Sequence, residues 1–259
     1  MNIIVCVKRV PFTQEVDLEI DGSKKDVRKE SLAYSINEWD NYAIEEAILL
    51  TEKLGGTVKV INIGNEDDEE VLRRCLAMGA DTAMRIDPGD ISLDAFVISG
   101  ILAEVIKHMD YDLILTGVQA DDDNLGMVGV MLAERLGIAH SAVVTGIDPD
   151  GEKATIKMEL EGGIDEVARI NLPALLTIQT GINEPRYVSI MGIRKASKKE
   201  LNIKKVEDLN LSQDDLAPWT TVEELFPPPD TEGAEMIEGD PDTVAGEIIR
   251  IIKEKGVNL

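Results

Sequence analysis

Positive charge is scarce in this sequence: 26 Lys and Arg stand against 50 Asp and Glu, a formal net charge of −24. A field of that sign repels phosphate backbones, which excludes a nucleic-acid partner. Aromatic residues make up only 3%. The core must therefore be built from Val, Ile, Leu, Ala and Met, a mixture that suits a parallel sheet covered by helices. The only cysteines are Cys6 and Cys75, and neither stands in a CxxC or other ligand spacing. His108 and His140 have no third ligand spaced to join them. A disulfide framework and a metal site are not expected, and the thiols point to a reducing compartment. Long apolar runs are also missing. Ile3–Val7 is too short for a signal-peptide core and is followed at once by Lys8 and Arg9. No membrane insertion is expected, and the expected location is the cytoplasm.

The motifs of self-sufficient enzymes are absent as well. There is no GxSxG, no paired His–Glu metal motif, no P-loop and no GxGxxG. No catalytic residue is assigned, and the sequence reads as a binding or carrier protein rather than a hydrolase or dehydrogenase.

What is present is an alternation of strand and helix. Ile3–Val7 reads as a buried strand, and a looser segment with turns at Pro11 and Asp21–Gly22 follows. Asn37–Leu54 reads as a helix with Tyr42, Ala43, Ala47, Leu50 and Leu54 on its inner face, ended by Gly55–Gly56. Further strands are expected at Thr57–Ile63, Ala83–Ile86, Asp112–Thr116 and Ala142–Ile147. Further helices are expected at Glu66–Met78, Leu93–His108 and Val128–Leu136. The fold class is α/β: a doubly wound, mostly parallel, Rossmann-like sheet. Lys153–Glu159, Val167–Ile170 and Ala174–Gln179 read as an antiparallel extension. In such sheets ligands bind beyond the carboxyl ends of the strands. The loops after Val7, at Gly64 and after Gly117 should therefore line the site.

Two local features stand out. The loop Gly117–Val118–Gln119–Ala120–Asp121–Asp122–Asp123–Asn124–Leu125–Gly126 follows a buried strand and precedes a helix that starts at Met127–Gly129. Its glycines allow close approach of a ligand, and the helix start offers N–H groups to a phosphate. Three consecutive aspartates suit ribose hydroxyls or a helix cap; on its own such a run is more often a solvated acidic turn. The second feature is Asn183–Glu184–Pro185–Arg186–Tyr187–Val188–Ser189–Ile190, with Met191 and Ile193 just beyond. Seven basic residues lie between Arg186 and Lys205 against the single acid Glu200. An apolar anchor ringed by charge is how docking sites are built, although a plain connection between elements would read the same way. Beyond it, Glu207–Glu247 contains no Lys or Arg and includes Pro227–Pro228–Pro229. This reads as an extended arm that ends in an amphipathic helix over Asp242–Lys255. The expected domains are 1–205 and 206–259.

These features in this order resemble the beta subunit of electron-transfer flavoproteins. The residues that carry the resemblance are Glu161–Gly162–Gly163, Leu172–Pro173–Ala174, NEPRYVSI at 183–190 and IRKASKK at 193–199. VCVKRVP at 5–11, ALAMGAD at 76–82 and GVQADDDN at 117–124 also match. The resemblance covers essentially the whole chain. It implies a heterodimer with an alpha subunit that carries FAD, and AMP or a second FAD in this subunit. By position it implies a nucleotide site of Cys6, Val7, Lys8, Asn37, Asp40, Ile63, Gly64 and the loop Gly117–Val128. It implies a docking loop for acyl-CoA dehydrogenases within 183–199, at Pro185, Arg186, Tyr187, Ser189, Ile190 and Met191, with Ile190 in the place of the family's inserted leucine. Glu159 aligns with a family glutamate near the subunit surface, and the 206–259 arm would pack on the alpha subunit. If the second nucleotide is FAD, splitting of electron pairs from NADH follows. Two positions depart from the family: in Met127–Val128, where Gln and then Thr or Val usually precede Gly129, Met127 replaces the Gln, and Met158 stands where many members have Arg. An amide is thereby lost from the phosphate end, which leaves AMP and FAD both open. The competing reading is a stand-alone adenine-nucleotide-binding protein of the universal-stress type. That reading leaves the 183–199 segment and the arm without a role.

Overall fold

The computed structural model describes residues 1–257 except 14, 15, 17, 31, 230–232 and 235. Those parts of the expected arm and the last two residues lie outside the described set. Two compact units are present, Met1–Glu223 and Glu224–Leu259.

The first unit is organised by apolar runs that can only be satisfied in the middle of a sheet. β1 (Asn2–Cys6) is buried from Ile3 onward, and β10 (Ala174–Ile178) is buried throughout. Residues buried on both faces lose the period-two alternation of a one-sided strand, and this is what made these runs legible. The other strands that enter the sheet are β4 (Thr57–Ile63), β5 (Thr82–Asp87), β6 (Leu113–Gly117), β7 (Ala139–Asp150), β8 (Lys153–Leu160), β9 (Ile164–Asn171) and β11 (Leu201–Lys205). Their order is β11-β5-β4-β1-β6-β10-β7-β8-β9. Pairing is parallel from β11 to β7, and β8 and β9 add on antiparallel. The doubly wound sheet is therefore present, with β8 and β9 as its antiparallel extension; Ala174–Gln179, expected in that extension, is instead β10, a central strand parallel to both β6 and β7, as its burial on both faces requires.

Alternate residues of β1 feed opposite faces. Ile3 and Val5, with Val7 just beyond the strand, pack under α1 (Glu38–Leu54), α2 (Glu69–Met78) and Ala196 of α5 (Ile190–Ala196). Ile4 and Cys6 pack under α3 (Ala95–Ile106) and α4 (Val128–Leu136). The chain runs outward from β1 through β4 on one side and resumes at β6 on the other. That reversal places a crevice between β1 and β6 at their carboxyl ends.

Several details differ from expectation. The inner face of α1 consists of Ala43, Ile44, Ala47, Ile48 and Leu50, whereas Leu54 is exposed. The looser segment contains a short antiparallel pair, β2 (Arg9–Pro11) with β3 (Tyr34–Ile36). A 3-10 turn, Glu66–Asp68, precedes α2. Leu201–Lys205, expected only as the end of a basic run, is the edge strand β11, paired with β5.

Residues 206–223 stay with the first unit. Val206 is buried, and Leu209, Leu211 and Leu216 pack on the α3/α4 side. Trp219 stacks on Phe96 at 3.8 Å, and Asp94 Oδ2 accepts the N–H groups of Trp219 and Thr220. In the second unit α6 (Pro241–Glu254) begins at Asp240, whose side chain accepts from the Asp242 and Thr243 N–H groups, and none of its residues is buried.

Candidate functional site

The crevice between β1 and β6 is closed on one side by the first turn of α1. Two polar residues there reach out of the helix instead of serving it. Asn37 is the N-cap residue of α1 but makes no side-chain cap. Its Nδ2 donates to Gln119 O at 2.8 Å, and its Oδ1 accepts the Asp121 N–H at 3.0 Å. Asp40 is 5% exposed. Its Oδ2 accepts the Lys8 N–H at 2.7 Å and its Oδ1 accepts the Gly117 N–H at 2.9 Å. The loops after β1 and β6 are thus both tied to one helix start.

Burial pushes the Asp40 carboxyl up to about 7, outweighing the hydrogen bonds from Lys8, Asn37 and Gly117 that favour its charged form. The same burial raises the Cys6 thiol to about 12, with Asp40 adding to the effect. Cys6, at the end of β1 and buried under α3 and α4, is therefore an inert thiol.

The acidic loop is satisfied from within the protein. Asp121 Oδ2 accepts the Glu38 N–H at 3.1 Å, so it caps α1 from a distance. Lys8 Nζ lies 2.6 Å from Asp122 Oδ1 and 2.9 Å from Asp123 Oδ2. Burial works to lower the Lys8 pKa, but its two aspartates prevail and hold it above the usual value. Asp123 Oδ1 accepts the Leu125 N–H, and Gln119 Nε2 donates to Asn124 Oδ1. Asn124 has φ 51° and Gly126 φ 62°, two left-handed residues that turn the chain into α4. Met127, the N-cap residue of α4, makes no side-chain cap, so the unpaired N–H groups of this first turn gain nothing from it.

Two glycines set how closely these parts pack. A Cβ at Gly117 would lie 2.5 Å from Asp40 Oδ1 and 2.7 Å from Trp39 Cβ. A Cβ at Gly129 would lie 2.6 Å from both Thr116 Oγ1 and Thr177 Cγ2, so the start of α4 rests directly on β6 and β10.

Ile63 and Gly64 lie at the end of β4, on the far side of β1. Behind them is a polar group that sequence reasoning missed. Asn62 is 1% exposed; its Nδ2 donates to Val7 O at 3.1 Å, and its Oδ1 is buried without a partner. Arg85 is 5% exposed; it donates to Gly64 O at 3.2 Å and pairs with Glu69 and Asp87. Burial raises Asp68, against the lowering effect of its bond from Asn62. An Asn inside the run TVKVINI and an Arg inside TAMRID were the available signals.

The structure therefore brings Cys6, Val7, Lys8, Asn37, Asp40, Gly117, Gln119, Ala120, Asp121, Asp122 and Asp123 around one crevice, with Asn124–Val128 leading from it into α4. Ile63 and Gly64 extend it past β1. Pro185–Met191 lies elsewhere, beside the later turns of α1 and the end of α2. There Tyr187 is 90%, Ile190 74% and Met191 70% exposed. Ser189 caps α5 by accepting the Gly192 N–H, and Arg186 turns inward onto Glu45. Glu159 stands at the end of a side-chain chain: Gln179 donates to Glu159, and Trp39 donates to Gln179.

A family model described as the electron transfer flavoprotein domain matches residues 27–209. The chain is 38% identical to the electron transfer flavoprotein subunit beta of Methylophilus methylotrophus, over 98% of both chains. It is 36% identical to a subunit of the caffeyl-CoA reductase–Etf complex of Acetobacterium woodii, over 99% of this chain and 100% of that one. The human electron transfer flavoprotein subunit beta is 30% identical over 95% of this chain and 96% of its own.

Proposed function

Because the chain belongs to the electron transfer flavoprotein family as a beta subunit, we propose that it holds an adenine nucleotide, AMP or FAD, in the β1/β6 crevice and works with an FAD-carrying alpha subunit to pass electrons between flavoenzymes. The observation that carries this reading is the double tie of Asn37 and Asp40. One helix start fixes the Lys8 backbone on one wall of the crevice and Gly117, Gln119 and Asp121 on the other.

The residues fit such a ligand. Three aspartates in sequence are a poor surround for phosphate, but Asp121 is engaged by a helix N–H and the other two by Lys8. The phosphate end falls to the start of α4, where N–H groups and the helix dipole favour an anion. Met127 brings no amide, so the backbone does this work. Gly117 keeps the crevice floor free of a side chain and in contact with Asp40. Bound FAD supplies the redox chemistry; the residues of this chain bind, orient and shield it. No proton relay is asked of them, and Asp40 serves by holding two N–H groups in place.

The exposed Tyr187, Ile190 and Met191 support docking to a partner flavoenzyme through the 183–199 segment. The relative from the caffeyl-CoA reductase–Etf complex supports a partner that acts on acyl-CoA thioesters, with acyl-CoA dehydrogenases as the leading class. The arm beyond 223, with Phe226, Met236, Ile248 and Ile249 exposed, supports packing on the alpha subunit. Among the described residues no helix is long and apolar enough to cross a membrane. We place the complex in the cytoplasm.

The test is to co-express the chain with its alpha subunit, purify the heterodimer and count nucleotides released on denaturation. Two FAD without AMP supports splitting of electron pairs from NADH. One FAD with one AMP supports a single-flavin shuttle. A heterodimer with no nucleotide beyond the alpha-subunit FAD overturns the crevice assignment.

A further inference from the structure

The exposed 187–195 stretch is fastened to the body of the protein at both ends, and the fastening groups come from α1 and α2. At its start, Asn183 Nδ2 donates to Glu46 Oε2 at 3.0 Å and to Tyr42 O at 3.1 Å. Arg186 then binds Glu45 through its own N–H at 3.1 Å and through Nε at 2.9 Å, and reaches Glu52 through Nη1 at 2.8 Å. Glu45 is 3% and Glu46 8% exposed. Two adjacent carboxylates turned into a protein demand partners, and Asn183 and Arg186, just before the exposed stretch, supply them. At its far end, Arg73 Nη1 donates to the carbonyls of Ala196 at 3.2 Å and Lys199 at 2.9 Å. Lys199 Nζ returns the link by donating to Leu76 O at 3.1 Å and Ala80 O at 2.7 Å, closing the end of α2. Between the two fastenings stand Tyr187, Ile190 and Met191, the exposed apolar tip.

We propose that Glu45 and Arg73 are positioning residues for docking. They hold 187–195 in the shape that a partner flavoenzyme meets, without touching the partner. The inference rests on the docking reading given above. A free segment loses conformational freedom when it binds, and a segment already ordered by its own chain does not, so the difference appears as affinity. Glu45 matters more than Glu52. The Glu45 side chain is 4% exposed and its pair is shielded, whereas Glu52 is 56% exposed and its pair is screened by water.

The experiment uses the heterodimer with its alpha subunit. It measures amide exchange over 187–196 and electron transfer from an acyl-CoA dehydrogenase reduced by its acyl-CoA substrate, as a function of heterodimer concentration. Glu45→Gln keeps the shape and removes the charge that Arg186 needs. Exchange over 187–196 is expected to rise about tenfold, with β6 and β10 unchanged. The half-saturating heterodimer concentration should also rise about tenfold, with the maximal rate within about twofold and nucleotide content unaltered. Arg73→Gln should act in the same direction, and Glu52→Gln by less than about twofold. Unchanged exchange and half-saturation in Glu45→Gln and Arg73→Gln overturn the proposal. If Glu45→Gln does not fold, Arg73→Gln, at a half-buried surface position, decides. Ile190→Asp separates the two levels. If it leaves half-saturation unchanged, the docking reading fails and takes this inference with it. If it raises half-saturation while Glu45→Gln and Arg73→Gln do not, only the positioning role fails.

Discussion

Asp40 and Gly117 meet at 2.9 Å, carboxylate oxygen to backbone N–H, and the other Asp40 oxygen holds the Lys8 N–H. Burial disfavours the charged form of this carboxyl and lifts it to about 7 from an ordinary 3.8. Between about pH 4 and 7 the folded chain keeps a proton on Asp40 that the unfolded chain has released. Stability contributed by this group therefore falls as pH rises through that window, and the fall is complete above 7. Asp68 and Glu46, also raised by burial, add in the same direction. Denaturant midpoints should decline from pH 5 to pH 8, by up to roughly 2–3 kcal/mol of stability from Asp40. Asp40→Asn should flatten much of that slope and, by facing one N–H with an amide donor, cost about 1–3 kcal/mol at pH 5. An unchanged slope in the variant would show that Asp40 does not titrate in this range.

Gly117→Ala tests packing without backbone strain. Its Cβ would press on Asp40 and Trp39, which cannot move without breaking the tie between the two loops. A loss of about 1–3 kcal/mol is expected, together with weakened nucleotide retention. Gly129→Ala, against Thr116 and Thr177, should behave alike. Gly137→Ala is the contrast. Nothing lies within 4 Å of its Cβ, but its φ is +65°, so it should cost only about 1 kcal/mol and leave nucleotide content alone. Urea midpoints and released nucleotide per chain check all three.

Lys8→Met should separate affinity from stability. The Lys8 side chain is 36% exposed, and its partners Asp122 and Asp123 are 32% and 44% exposed. Such a pair contributes at most about 1 kcal/mol to folding. Its loss leaves two aspartates unneutralised beside the proposed phosphate position. Calorimetric titration with AMP or FAD should show affinity down about tenfold, with part of the loss recovered at high salt. Equal losses of stability and affinity would instead make Lys8 a folding residue.

Much of this architecture was legible because its information is local. Ile3–Cys6, Thr57–Ile63 and Leu113–Gly117 are apolar runs that read as central strands. Gly137 ends α4 at the expected place. The failures have physical causes as well. Leu201–Lys205 is an edge strand with four of its five residues exposed, and its lysines, which guard an open edge, resemble a solvated loop. The helical period assigned Leu54 to the inner face of α1 and passed over Glu45 and Glu46. The partners that make those glutamates buried, Arg186 and Asn183, lie well over a hundred residues later. The crevice loops could be named from the motif, but the roles of Asn37 and Asp40 as ties between them required three dimensions.

Arg85 offers a last prediction, about the wall of the crevice beyond β1. Its side chain is 6% exposed, and its guanidinium joins three groups: Gly64 O at 3.2 Å, Glu69 at 3.3 Å and Asp87 at 3.4 Å. Lysine has one cationic centre and no planar fork, so it cannot reach the carbonyl and both carboxylates together. Arg85→Lys should therefore cost stability, by about 1–3 kcal/mol, because at least one of the three groups is left without its partner. Gly64 remains tied by its own N–H to Ile86 O, so the strand end should persist while the loop beyond it loosens. Amide exchange should thus quicken over 64–68 and stay slow over 58–62. If both stretches quicken together, Arg85 supports the sheet as a whole, and the β4 loop has no separate dependence on it.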